Sequence, residues 1–313
     1  MNNRWLELIE SDYLKDYIAS GGSAVKFAIA PDQPARSQTI RALAAVARSN
    51  TFLHFSLDSE NTRLHFIHTI FHDIARRLDW DRAVAERLKN ILSALGLSHI
   101  PNQAPFDLSR LAALNGRDNR ALVQDLQNKL AKELGEDRAM THEFQIAILH
   151  LLLANLRGGN GPLSPHRSAI LSWLQGQLPY IKELKAARIY QKVTRSNARH
   201  LLSSLAHFVR QAGSSGIVVT LDISRYLTTC SYSSRQGGNY YSAANALDLY
   251  ELLRQLIDEQ DTLEGMLIVV VAPPELLTDS FRGLNRYQAL KMRLIDDVRV
   301  RARQNLLAPL VHV

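Results

Sequence analysis

Residues 30–37 read Ala-Pro-Asp-Gln-Pro-Ala-Arg-Ser. Their spacing fits the phosphate-cradling pattern G-x-x-x-x-G-K-[ST], which follows a strand and opens a helix. In that pattern backbone N–H groups turn toward a phosphate, the lysine reaches it and the hydroxyl holds Mg²⁺. Here Ala30 and Ala35 stand at the glycine positions, Arg36 at the lysine and Ser37 at the hydroxyl. The substitutions oppose the chemistry. Ala35 puts a Cβ where a permissive backbone is wanted. Pro31 and Pro34 each remove an N–H donor. Asp32 brings a negative charge beside the phosphate position. Arg36 keeps a cation, but a planar fork does not replace a point ammonium. Ser37 alone matches.

The partner of such a loop is an acid at the end of a neighbouring strand. Gly-Ile-Val-Val-Thr-Leu-Asp at 216–222 supplies it, with Asp222 placed to hold Mg²⁺ through water. A glutamate that orients the attacking water often follows; here the next residue is Ile223, which can do neither acid nor base work. The plain alternative is an ordinary strand–loop–helix of an α/β protein.

These residues need strands to carry them. The runs 24–30, 51–58, 216–222 and 266–272 are short, apolar and β-branched or aromatic, bounded by Gly or Pro or ending in Asp. They predict buried strands of a parallel sheet covered on both faces. Residues 308–313 suit a last edge strand. Helices are expected over 5–19, 37–48, 243–259 and 287–303. From 59 to 210 apolar positions recur at helical spacing, broken at Pro101, Pro105 and 158–162, and no strand is expected there.

The 313 residues carry 37 Lys+Arg against 30 Asp+Glu, a net charge of +7. That excess permits a polyanionic partner without establishing one. With 46% hydrophobic and 21% charged residues, wholesale disorder is excluded. Cys230 is the single cysteine, which excludes an internal disulfide and a cysteine zinc site. No secretory segment or membrane span is expected, so the reading is a cytoplasmic protein.

His65, His68 and His72 have the spacing of one helix face, but lack an H-E-x-x-H pattern; they read as polar histidines on a helix border, and no metal is expected. Lys185, Arg188, Lys192, Arg195 and Arg199 would form a cationic stripe if one helix ran through them, although Thr194 reads as a helix cap that splits it. They are the DNA-binding candidates, against a merely solvated face. Lys291, Arg293, Arg299, Arg301 and Arg303 form a second basic cluster. The loop 228–245 holds Cys230, Tyr232, Gly237, Gly238, Tyr240 and Tyr241 and suits an adaptable contact surface.

Six segments lie in a telling order: Thr-Arg-Ser-Asn-Ala at 194–198, Leu-Ala-His-Phe-Val-Arg-Gln-Ala-Gly at 205–213, the acidic strand at 216–222, Leu-Tyr-Glu-Leu-Leu-Arg-Gln-Leu-Ile-Asp at 249–258, Val-Val-Val-Ala-Pro-Pro-Glu at 269–275, and Asp-Ser-Phe-Arg-Gly-Leu-Asn-Arg-Tyr-Gln-Ala-Leu at 279–290. With these the chain resembles the BREX-type (bacteriophage-exclusion) ATP-binding family of bacterial defence islands. The likeness runs from about residue 21 to 313 and is strongest after 194. It implies an α/β fold of the P-loop NTPase-like, AAA-type class: a parallel sheet from 1–58 and 211–313, with a large all-helical insertion, 59–210, between the second and third strands. It also implies partner subunits of helicase, nuclease or methyltransferase type and oligomer formation; double-stranded DNA is a candidate partner on the charge of the basic clusters. Arg282 and Arg286 fall where such proteins reach a neighbouring subunit's phosphate; a solvated loop is the alternative. Departures at Ala30, Ala35, Arg36 and Ile223 point to a subunit that has lost turnover and acts as scaffold or regulator. The competing expectation is an active or partner-completed ATPase using Arg36, Ser37 and Asp222. No cofactor is expected, beyond ATP and Mg if the nucleotide site is retained.

Overall fold

The structure, a computed structural model, describes residues 3–158, 161–228, 238–295 and 305–313. The chain opens with α1 (Asn3–Leu8), a π-helix (Ile9–Ile18), β1 (Ser23–Ile29), α2 (Gln33–Ser49), β2 (Phe52–Asp58) and α3 (Ile67–Arg77). It continues with α4 (Trp80–Ala94), β3 (Phe106–Asp107), α5 (Leu108–Leu114), α6 (Asn119–Gly135), α7 (His142–Ala154), β4 (Leu156–Gly158), β5 (Gly161–Pro162), α8 (Arg167–Leu174), a 3-10 turn (Ile181–Leu184) and α9 (Ala198–Gln211). Last come β6 (Gly216–Asp222), α10 (Ser224–Leu227), α11 (Ala243–Asp258), β7 (Met266–Ala272), α12 (Glu275–Thr278), α13 (Gln288–Leu294) and β8 (Leu310–His312). Two compact units result, Met1–Asp73 with Ser214–Val313, and Ile74–Gly213.

The first unit is built on one sheet in the order β2-β6-β7-β1-β8, parallel at every pairing. β1 and β7 are buried along their whole length. This is why they read as continuous apolar runs rather than alternating ones: both faces are covered. On one face Ala24, Ala28, Val218, Leu267, Val269 and Val271 pack with Leu43 and Ala47 of α2 and with Trp5, Ile9, Leu14 and Ile18. The π-helix carries three of those four anchors, so the expected single helix over 5–19 changes its winding while keeping its apolar stripe on the sheet.

The second unit is mostly helical. Trp80, Phe144 and Phe208 meet at its centre, with ring centroids 6.0 and 6.2 Å apart. The expectation of an all-helical insertion is corrected: β3, β4 and β5 form a small three-stranded sheet. Strands of two or three residues hold too few positions for a period-two pattern, and they form because Phe106 N–H finds Asn155 O at 2.8 Å. Residues 185–197 are turns and extended chain rather than helix. Of the helix expected over 287–303, Gln288–Leu294 is helical and residues 296–303 lie outside the described residues.

His54, on edge strand β2, is half-buried, with Nε2 3.3 Å from Thr220 Oγ1. Burial first, and then the nearby Arg48 cation, push its pKa down to about 4. Between about pH 6.5 and 4 the unfolded chain therefore binds a proton that the folded chain refuses. Stability falls as pH drops through that window. Urea unfolding midpoints at pH 7.0, 5.5 and 4.0 should decline, and His54→Gln should remove part of that decline.

Candidate functional site

In an open parallel sheet, ligands bind beyond the carboxyl ends of the strands. Here a cleft of about 480 Å³ lies beyond β1, β6 and β7, lined by Pro31, Asp32, Arg36, Ser224, Pro273 and Asp279 among others. Of the frame at 30–37 it is lined by Pro31, Asp32 and Arg36, while Ala30, Ala35, Ser37, Asp222 and Ile223 are not among its lining residues. The way they are arranged departs from a phosphate cradle.

The difference starts at α2. Ala30 prolongs β1, its N–H bonded to Ala272 O at 3.0 Å. The helix then begins at Gln33, four residues before the expected Ser37, so the connection is only Ala30-Pro31-Asp32. Asp32 is the N-cap: its carboxylate accepts the Ala35 N–H at 2.8 Å, and its carbonyl accepts the Arg36 N–H at 3.0 Å. Pro34 sits in the first turn, where a missing N–H costs nothing. A helix N-terminus attracts anions because its first N–H groups lack partners. In this chain a carboxylate of the chain itself takes that role. Starting the helix early also places Ser37 in the second turn, exposed and outside the cleft lining.

Arg36 points at the end of β6. Its Nε lies 3.8 Å from Asp222 Oδ2, and both side chains are largely buried. The other Asp222 oxygen accepts the Ser224 N–H at 2.9 Å. The acid expected to hold Mg²⁺ thus faces the cation expected to reach phosphate at ion-pair distance, while Arg36 Nε makes no hydrogen bond. Ile223 is wholly buried, its N–H bonded to Val271 O at 3.1 Å. Asp32, Glu275 and Asp279 add three carboxylates to the cleft wall, where Arg36 is the one lining cation among the described residues. Such a wall repels a polyphosphate. The residues present do not fit a Mg-bound triphosphate.

Arg282, considered as a group reaching another subunit, is 8% exposed. Its Nη1 donates to the carbonyls of Tyr226 at 3.1 Å and Tyr241 at 2.9 Å. Those two tyrosines stack with centroids 3.8 Å apart. The Tyr226 hydroxyl meets His65 Nδ1 at 2.7 Å, and Tyr241 donates to Ser59 O at 2.7 Å. Burial, reinforced by the neighbouring Tyr241, raises the Tyr226 pKa far above the phenol range. Asp279 Oδ1 accepts the N–H groups of Phe281 and Arg282, and Tyr250 donates to Arg282 O. Gly283 is required here, since a Cβ would stand 2.4 Å from Asp279 O. The Arg-Gly pair of the family-like segment is therefore a buried knot joining the segments after β6 and β7. Arg286 lies exposed at the end of a 3-10 turn.

Two functional-looking groupings are redrawn. Lys185, Arg188, Lys192, Arg195 and Arg199 share no helix; only Arg199 lies in one, α9. His65 precedes α3, so the three histidines do not line one helix face. Cys230, Tyr232, Gly237, Arg299, Arg301 and Arg303 lie outside the described residues. Asp32 as a cap, and Tyr226, Tyr241 and Tyr250 as the partners of Arg282, were not anticipated. The Asp-x-Pro spelling at 32–34 is a legible cap signal; the arginine's partners are carbonyls distant in sequence, which leave no signal.

Replacing Arg282 with Met should cost about 2–4 kcal/mol, because two buried carbonyls lose their donor. Urea denaturation checks this. An arginine serving only another subunit would leave the isolated chain's stability unchanged.

Among the described residues, no helix is long and apolar enough to cross a membrane. No curated protein and no solved structure matches the chain. One family model does, over residues 8–313, and it describes BREX system ATP-binding protein BrxC/D. The match takes in the sheet, the cleft and the mostly helical unit together, and the chain belongs to that family.

Proposed function

We propose that this protein is a catalytically silent ATPase-fold subunit of a bacterial anti-phage system of the BREX type. It acts in the cytoplasm as a scaffold or regulatory partner for other subunits of that system. The observation that carries the reading is the Asp32 carboxylate bonded to the Ala35 N–H at 2.8 Å. A phosphate entering this site must first displace a cap that stabilises α2 by about 1 kcal/mol. It then meets an arginine already paired with Asp222. At the position after the acidic strand, where a water-orienting glutamate is expected, stands the buried Ile223.

The sheet is held by its own packing. β1 and β7 are enclosed by their own neighbours, and the cleft wall is closed by the Arg282 knot.

Calorimetric titration of the full chain with Mg-ATP, alone and with partner subunits, tests the proposal. No saturable heat is expected, and phosphate release should match that of Asp222→Ala. Micromolar binding that is lost in Asp222→Ala, or turnover above that variant, would overturn it. A second outcome follows from the cap. Asp32→Ala should lower the unfolding free energy by about 1 kcal/mol in urea, the loss typical of an N-cap.

A further inference from the structure

The positive charge of this protein is concentrated. Residues 144–213 contain nine lysines and arginines and one acid, Glu183, a net of +8 that exceeds the +7 of the whole chain. Within that stretch, residues 178–195 expose five cations and two tyrosines beside the single acid, Glu183. Lys182, Lys185, Arg188, Lys192 and Arg195 are exposed cations. Tyr180 and Tyr190 are 62% and 63% exposed, among the most exposed large apolar side chains described.

This exposure is not poor packing. Leu184, Ala187 and Ile189 of the same segment are fully buried, and Trp173 Nε1 donates to Gln191 O at 2.9 Å. Lys192 Nζ donates to Pro179 O at 2.9 Å, drawing together the two ends that bear the tyrosines. Lys182 Nζ lies 5.1 Å from the Tyr180 ring centre and steadies that ring.

Arg188 gives a second, independent sign. Its φ is +62°, in the left-handed region. The turn closes with Arg188 N–H to Lys185 O at 3.0 Å and Ile189 N–H to Leu184 O at 3.1 Å. That is the helix-ending arrangement whose left-handed position normally holds glycine. The chain places an exposed cation there instead, in a conformation L residues avoid.

We infer that the 178–195 segment is a binding surface for single-stranded nucleic acid. Its cations contact successive phosphates while Tyr180 and Tyr190 stack on bases. Exposed aromatics set among cations are the composition of such surfaces, because every base offers a π-face and every nucleotide a charge. A duplex keeps its bases stacked internally and would leave both tyrosines unused. The inference does not rest on the silent nucleotide site, and no nucleotide enters its test.

The probe is a labelled 20-mer of dT titrated with the full chain, read by fluorescence anisotropy at several salt concentrations. Tyr180→Ala with Tyr190→Ala should weaken binding at least tenfold while leaving the salt slope unchanged. Lys185→Gln should lower the slope of log affinity against log salt by about 0.7, the share of one single-strand phosphate contact. Arg188→Gly should weaken binding while the melting temperature holds or rises, since glycine relieves the backbone. An unlabelled U 20-mer competing as well as dT supports the inference, because neither stacking nor phosphate contact reads the 2′-hydroxyl. Tyrosine variants within twofold of the native affinity would overturn it. So would an Arg188→Gly protein of unchanged affinity, or a 20-bp duplex that competes better than the single strand.

Discussion

The start of α2 governs the carboxyl edge of the sheet. A helix N-terminus beside the end of a central strand presents N–H groups that need an acceptor. A Gly-rich loop leaves them for an incoming anion. Here Asp32 accepts the Ala35 N–H, and the helix winds from Gln33. Because the helix starts there, Arg36 falls in its first turns facing Asp222, and Ser37 is carried past the cleft. Two expected phosphate and metal groups, Arg36 and Ser37, are thereby placed by one capping interaction. Their separate substitutions form one local structure.

The opposite wall is set by a second buried interaction. Arg282 threads between the segments after β6 and β7 and holds the Tyr226 and Tyr241 backbones. A guanidinium offers five donors in a fixed plane and remains charged, so it can satisfy carbonyls from two directions. The tyrosine pair it holds reaches on to His65 and Ser59 after β2. Three connections at one end of the sheet are thus tied through the arginine and two stacked rings.

The sheet was legible because doubly covered parallel strands must be continuous apolar runs, as at 24–30, 216–222 and 266–272. β8 was legible as a short apolar end segment. The frame at 30–37 was legible in spacing but misleading in geometry. Matching letters to G-x-x-x-x-G-K-[ST] hides that Asp32 followed by Pro34 spells a cap and a first turn. The little sheet of β3, β4 and β5 was illegible, because its pairing comes from tertiary proximity rather than period. The basic residues at 185–199 were legible as charge but not as shape. The spacing 3, 4, 3, 4 suggests a helix, while Arg188 turns left-handed and the chain beyond it runs extended to the turn before α9.

Ile223 and Asp32 bear on each other through the reading of a silent site. Restoring a glutamate at 223 would put a carboxylate where the present side chain is wholly enclosed, at a desolvation cost of several kcal/mol. It would still face Arg36 paired to Asp222 and a helix end already capped. Restoring glycine at Ala30 or Ala35 would loosen the backbone without removing Asp32, whose carboxylate competes for the same N–H groups. Removing Asp32 alone leaves Pro31 and Pro34 without donors and Ile223 without chemistry. Each residue is thus locally favourable in the structure it occupies and locally wrong for phosphate. Cap, ion pair and core are consistent with one another at this edge of the sheet. One polar group stands apart from that agreement: Arg36 Nε is buried without a hydrogen-bond partner, 3.8 Å from Asp222 Oδ2.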